Sequence, residues 1–420
     1  MKQAALYICY YHITEPLVET QVVTYLRELA RSGYEMHLLT FERKRMAEDQ
    51  IRTTRARLAG DGIYWHALRY HKRPSLPATL YDIATGAIAA ARICRKHEIR
   101  LVHARSHVPA AMALPLKRLL GARFLFDFRG LLAEEYVDAG HWRPGGLKFR
   151  LTKGMERRFF RDADAIVMLT NRIKDELVRT EPALHNRQAD IQVIPCCVDL
   201  TKFSITAEER ASYRRERGWT DRIVLAYVGK LGTWYLPDEM ARFFSVARAS
   251  EPRFFFQVLT QGDPTPIKRA LQSGGVPAQD FDIRFEGPER LPIALAASDA
   301  GISFIHACNS KRASSPTKIG EYLAAGLPVL VNAGIGDCDA FLQAHRLGAI
   351  IDDFTHTEFR RATAELLVLI QEDRTSSRCQ GFAARQLSVA RIGGPRYLAS
   401  YQRLLGASDL ASALHVSETV

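Results

Sequence analysis

Short apolar runs alternate with longer amphipathic stretches along almost the whole chain, and this alternation restricts the fold more than any other feature. Ala4–Cys9, Glu35–Phe41, Ile63–Leu68, Leu101–Ala104, Arg123–Phe128, Ala165–Leu169 and Ile191–Ile194 read as buried strands. Between the first two, Val18, Val22, Tyr25, Leu26 and Leu29 recur at helical spacing, and Gly33 stops the pattern. Strands separated by helices of this length predict βαβ units, hence a parallel sheet covered on both faces.

The series restarts after Pro195. A helix is predicted over Ala207–Gly218, then strands at Arg222–Val228, Phe254–Thr260, Phe281–Phe285, Gly301–Ile305, Pro328–Val331 and Ala349–Ile351. The segment Pro195–Ser204 reads as a linker. The fold class is therefore α/β, with two Rossmann-like domains facing a central cleft: residues 1–197, residues 198–387, and a closing segment 388–420. That segment holds a helix with Tyr397, Tyr401, Leu404 and Leu405, then a small, polar and loose tail after Gly406. In open α/β sheets, ligands sit beyond the carboxyl ends of the strands.

A chain of 420 residues, 47% hydrophobic and 25% charged, has enough apolar material for such cores and is no collagen, coiled coil or disordered polymer. It contains no apolar run of about 18 residues. Its start reads as a buried strand rather than a signal peptide, because His12, Thr14, Glu15 and Pro16 break the apolar run. The seven cysteines are odd in number and contain no C-x-x-C pair, the pattern of buried thiols in a reduced, cytoplasmic chain. Residues 1–200 hold 32 Lys+Arg against 22 Asp+Glu, whereas the rest holds 26 against 24. A basic first half beside a nearly neutral second half points to an anionic partner: nucleic acid, a membrane face or a phosphorylated substrate.

The stretch Ala313–Asp337 carries the chemistry. Ser314-Ser315-Pro316-Thr317 predicts a hydroxyl-capped helix start over Thr317–Ala325. A helix N-terminus offers free N–H groups and a positive dipole end to phosphate. Lys318 adds a charge in the first turn, and Glu321 lies four residues after Thr317 on the same face, where a carboxylate accepts both hydroxyls of a ribose. Together these describe a nucleoside diphosphate site. The plain alternative is an ordinary capped helix with solvent-facing Lys and Glu.

The run SSPTKIGEYLAAGLPV resembles the donor-binding segment of the GT-B glycosyltransferases of family 4. Tyr227-Val228-Gly229-Lys230 resembles that family's strand end, whose basic residue contacts the donor diphosphate. Ile194–Asp199 resembles its interdomain linker, Asp127-Phe128-Arg129-Gly130 its sugar-facing loop, and Tyr397–Leu405 its last helix, which crosses back onto the N-terminal domain. The resemblance implies an acceptor-binding first domain and a donor-binding second one. It further implies a retaining, metal-independent transfer with no cofactor, the nucleoside-diphosphate-sugar being a substrate. Ser315, Thr317, Lys318, Glu321, Gly229, Lys230, Asn309 and His12 are the implied donor-binding residues. Lys230 and Lys318 are the implied stabilisers of the leaving diphosphate, and Asp127 and Arg129 the catalytic candidates near the sugar, with a mutual salt bridge as the competing reading of that pair.

The chain departs from the family's Glu-x7-Glu motif: Glu321 fits the second position, but the first is Ala313. Asn309, Ser310 or Ser314 are candidates to take over its sugar contacts. Asp162-Ala163-Asp164 and Asp337-Cys338-Asp339 match a metal motif in letters only.

The implied activity is transfer from a UDP- or GDP-sugar to a cell-surface glycan, lipid-linked or similar acceptor. A sugar-nucleotide epimerase on the same fold and a basic nucleic-acid-binding protein are the competing functions, the latter without any nucleic-acid motif. His141–Arg161 interleaves seven basic residues with Trp142, Phe149, Phe159 and Phe160. That composition suits peripheral attachment to an anionic inner membrane face, or alternatively a solvated helix with a buried aromatic side.

Overall fold

The computed structural model describes residues 3–417. Thirteen strands form two parallel sheets. The first comprises β1 (Ala4–Cys9), β2 (Glu35–Glu42), β3 (Ile63–Arg69), β4 (Leu101–Arg105), β5 (Arg123–Asp127), β6 (Ala165–Met168) and β7 (Ile191–Val193), ordered β3-β2-β1-β4-β5-β6-β7. The second comprises β8 (Ile223–Val228), β9 (Phe254–Leu259), β10 (Phe281–Arg284), β11 (Ala300–Ser303), β12 (Val329–Asn332) and β13 (Gly348–Ile351), ordered β10-β9-β8-β11-β12-β13. Each predicted strand is present, with ends displaced by a residue or so. Their apolar residues are consecutive rather than alternating because helices cover both faces of a parallel sheet.

The chain divides into two compact units, residues 1–195 with 389–420, and residues 196–388. In the second unit, one face of the sheet buries Val224, Ala226, Tyr322, Leu323 and Val329. The opposite face buries Leu225, Tyr227, Phe243, Phe256 and Ile302.

Within the first unit, the closing helix is anchored by polar contacts as well as packing. It spans Gly394–Ser417, so it runs on past Gly406, where the sequence predicts a loose tail; residues 418–420 of that tail lie outside the described residues. A π-turn, Val389–Gly393, precedes it, and another, Glu19–Val23, interrupts the first helix of the unit. Gly394 meets Glu28 there so closely that a Cβ would lie 2.9 Å from the Glu28 Cβ. Arg396 donates to the Val193 carbonyl at 2.6 Å, and Arg403 donates to the Ala189 carbonyl at 2.7 Å.

Beneath these contacts lies the ionic centre of the unit. Asp127, at the end of β5, is 0% exposed. Tyr397 donates to its Oδ2 at 3.2 Å, and Arg129 to its Oδ1 at 3.4 Å. Arg105 and His103 stand 3.6 and 3.5 Å from Oδ2. Burial alone would raise the Asp127 pKa, but Arg129, His103 and Arg105 outweigh it and hold the carboxyl well below the usual range. Tyr401 is hydrogen-bonded to His103 Nδ1 at 2.9 Å, so strand ends and closing helix share one network.

Removing one partner of a buried ion pair strands the other. Asp127→Ala leaves Arg105, itself 4% exposed, without its carboxylate, and should cost about 3–5 kcal/mol. Urea titrations of wild type and variant check this. Because the folded-state pKa is depressed, the Asp127 contribution is full above the ordinary carboxylate range and is lost as pH falls through the folded value.

Candidate active site

β8 ends at Val228, and the chain turns at Gly229 with φ +117°, a backbone conformation that L side chains rarely adopt. The turn points the chain end at the start of the helix Thr317–Ala324, where Lys318 lies. A Cβ on residue 229 would sit 3.3 Å from Lys318 Nζ, so glycine is required both by the turn and by the lysine's approach.

Lys318 is 4% exposed, and its Nζ has no hydrogen-bond partner among the described residues. Two tyrosine rings hold it: Nζ lies 3.5 Å from the Tyr235 ring centroid and 4.0 Å from that of Tyr227. Burial pushes the Lys318 pKa well below the ordinary lysine range, with Glu321 opposing in part. Burial likewise raises the Glu321 pKa, against the pull of Lys318 and Lys202. Burial also pushes Tyr235 up to about 12, which keeps its ring neutral beside the ammonium.

The rings are themselves fixed. Tyr227 donates its hydroxyl to the Lys230 carbonyl at 3.0 Å. Tyr235 bridges to Ile305 in a short antiparallel contact. Tyr322, one residue after Glu321, accepts the Val228 N–H at 2.9 Å and donates to the Ile302 carbonyl at 3.1 Å, which ties the helix to β8 and β11. Gly301 makes room for that ring: a Cβ there would approach it to 2.4 Å. Sequence reasoning missed Tyr227, Tyr235 and Tyr322 as site-shaping residues. No local pattern links them, because they meet only once β8, the loop after it and the helix pack together.

Among the other expected donor residues, Lys230 is exposed beside Gly229, and Asn309 is exposed on a 3-10 turn, Asn309–Ala313. Thr317 begins the helix. The predicted hydroxyl cap is absent: Pro316 occupies the cap position without a side-chain bond. Ser315 instead accepts the Cys196 N–H at 3.0 Å, fastening the helix start to the segment that opens the unit. Ala313 is buried at 1% exposure, so no side chain reaches from the position where the family carries its first Glu. Ser310 is buried against Cys308, 3.4 Å from its sulfur. Lys311, also buried, caps the Trp234 ring at 3.6 Å.

His12, Asp127 and Arg129 belong to the first unit. His12 is buried, with Nδ1 3.0 Å from Glu42 and within hydrogen-bond reach of the Thr14 N–H at 3.2 Å. Asp127 and Arg129 form the salt bridge described above. The mutual salt bridge offered as the competing reading of that pair is present, with Asp127 at 0% exposure among four polar neighbours. The carboxylates of the two metal-like letter matches make protein contacts. Asp162 pairs with Arg118 and Arg161, Asp164 accepts the Phe124 N–H, and Asp339 accepts the Gly334 N–H.

The second unit thus presents a glycine turn, a buried ammonium lacking an acceptor, the first amides of a helix, and a half-buried carboxylate one turn on. Residues 18–202 match the sequence model of Glycosyltransferase Family 4. No curated protein matches the chain. Among solved structures, WaaG, a glycosyltransferase involved in lipopolysaccharide biosynthesis, superposes with TM-score 0.70 at 14% identity, covering 96% of this chain and 100% of WaaG. Anabaena HepE in complex with UDP and glucose gives 0.66 at 14%, covering 98% and 100%. A putative UDP-N-acetylglucosamine 2-epimerase from Listeria monocytogenes gives 0.59 at 12%, covering 96% of each chain. The protein therefore has the GT-B fold, and its first unit carries the Glycosyltransferase Family 4 match. Family match and fold together support glycosyl transfer.

Proposed function

We propose that the protein is a retaining glycosyltransferase that takes a sugar from a nucleoside-diphosphate donor, most readily a UDP-sugar, and places it on a glycan or lipid-linked acceptor at an anionic membrane surface. The observation that carries the reading is Lys318: a lysine ammonium with no acceptor, 4% exposed, beside a glycine turn and a helix start. Diphosphate is the ligand that supplies its missing acceptors. The amides of Thr317 and Lys318 precede the first intrahelical bond and add donors aligned with the helix dipole. Lys230, on the exposed side of the turn, supplies a second charge as the glycosidic bond breaks and negative charge gathers on the leaving group. Glu321 accepts the ribose hydroxyls. These groups stabilise the leaving diphosphate without a metal ion. HepE's complex with UDP and glucose supports the choice of donor. An epimerase would act on the sugar nucleotide alone and would have no use for an acceptor-facing basic unit.

Two surfaces support membrane attachment. The helix Leu147–Asp162 buries Phe159 and Phe160, and Trp142 before it stacks on Tyr136, so these rings do not form the lipid face suggested by the sequence. Its exposed apolar residues are Leu147, Leu151 and Met155, one every four positions. The helix Ser75–Lys96 exposes Leu76, Leu80, Tyr81 and Ile88 on one side. Lys72 and Arg73 precede that face, and Arg92, Arg95 and Lys96 end it. The helix's one acid, Asp82, is 0% exposed and accepts from Tyr10 and the His71 N–H. An exposed face of apolar and basic groups alone complements anionic lipid.

Two outcomes are expected. In a thermal-shift panel of UDP, GDP, ADP, TDP and CMP, one diphosphate should raise Tm, and Glu321→Ala should weaken its binding tenfold or more, the equivalent of a charge-assisted contact of about 1.5–3 kcal/mol. Equal affinity in the variant removes Glu321 from the site. In co-sedimentation with anionic vesicles at low salt, Leu80→Glu with Ile88→Glu should release the protein while leaving nucleotide binding intact; wild type that ignores such vesicles overturns the membrane claim.

A further inference from the structure

Three imidazoles and a carboxylate gather at the amino end of β2, the opposite edge of the first sheet from the strand ends used by ligands in open α/β folds. Glu35 and His37 point to the same face because alternate strand residues do. His66 comes from the neighbouring β3, where Leu39 pairs with His66 and His37 with Tyr64. His97 ends the helix Ser75–Lys96. The ligand-type atoms of Glu35, His37 and His97 all lie within 4.8 Å of one another. His37 is 0% exposed, its Nε2 is 2.9 Å from Glu35 Oε1, and its Nδ1 is 3.0 Å from His66 Nε2. The His97 ring centroid is 4.2 Å from that of His37.

We propose that Glu35, His37 and His97 bind a divalent transition metal of the zinc class, with water as fourth ligand and His66 holding His37 in register. Two imidazoles and a carboxylate are a familiar donor set for Zn2+, whose tetrahedral ligands at ~2.0–2.1 Å stand a little over 3 Å apart. The three donors therefore need only side-chain adjustments to close on an ion. One tautomer satisfies the whole cluster: His37 gives its Nε2 lone pair to the metal and donates Nδ1–H to His66 Nε2, the outer contact that ligating histidines typically make. The ion would join β2 to the residue that ends the helix Ser75–Lys96.

The test uses the full chain, stripped with chelator and then dialysed against Zn2+ alone. One tightly held Zn2+ per chain is expected, with a rise in Tm. His97→Ala changes a partly exposed residue at a helix end, so the variant should fold and should lose that ion, while His66→Ala should weaken binding by about 10–100-fold. Co2+ in place of Zn2+ should give the visible absorption of a tetrahedral site in wild type only. Absence of a stoichiometric ion, or an ion retained in His97→Ala, overturns the proposal.

Discussion

An ammonium group buried between two tyrosine rings and denied a hydrogen-bond acceptor is the constraint on which the second unit turns. Removing a lysine charge from water costs several kcal/mol unless something replaces the water. Ring faces return only part of that, ~0.5–2 kcal/mol each. The free protein meets the deficit by depressing the Lys318 pKa. Several otherwise unrelated choices serve that arrangement: glycine at 229, the Tyr227 hydroxyl fixed on the Lys230 carbonyl, Tyr322 binding the helix to β8, and Ser315 holding the helix start to Cys196. An anion bound there is stabilised by donors already in place, which is the economical way to help a leaving group.

In the first unit the same physics gives the opposite result. Asp127 is also buried and charged, but Arg105, Arg129, His103 and Tyr397 surround it, so its charge is already matched. A satisfied buried ion holds structure together, whereas an unsatisfied one awaits a ligand. The difference is one of satisfaction: Asp127 has its counter-charges, whereas Lys318 Nζ has no hydrogen-bond partner among the described residues.

The strands were legible because parallel-sheet strands buried on both faces are continuous apolar runs, and the helix after Ser315-Pro316 was legible because proline and glycine bound it. Contacts that depend on distant residues were not legible. Nothing near Asp127 announces Tyr397, and nothing near Lys318 announces Tyr235; each pair forms only when separate βα units pack. The hydroxyl-rich run before Thr317 suggested a cap, yet Ser315 accepts the N–H of Cys196, 119 positions earlier. The aromatic residues of 141–161 suggested a lipid face, but Phe159 and Phe160 complete the core, and the exposed apolar positions are aliphatic residues that the composition alone did not single out.

The protonation of Lys318 gives the most direct test. Its folded pKa lies below that of the unfolded chain, so between the two values the unfolded state binds more protons and the free protein gains stability as pH rises. Bound diphosphate favours the charged form and moves the pKa upward, so binding must take up protons. Calorimetric titration with the preferred nucleoside diphosphate at a series of pH values below the ordinary lysine range, in two buffers of different ionisation enthalpy, measures that uptake. The account predicts net proton uptake in wild type, affinity that falls as pH rises further, and loss of the uptake in Lys318→Gln. Binding without proton uptake, or with the same uptake in Lys318→Gln, would contradict it.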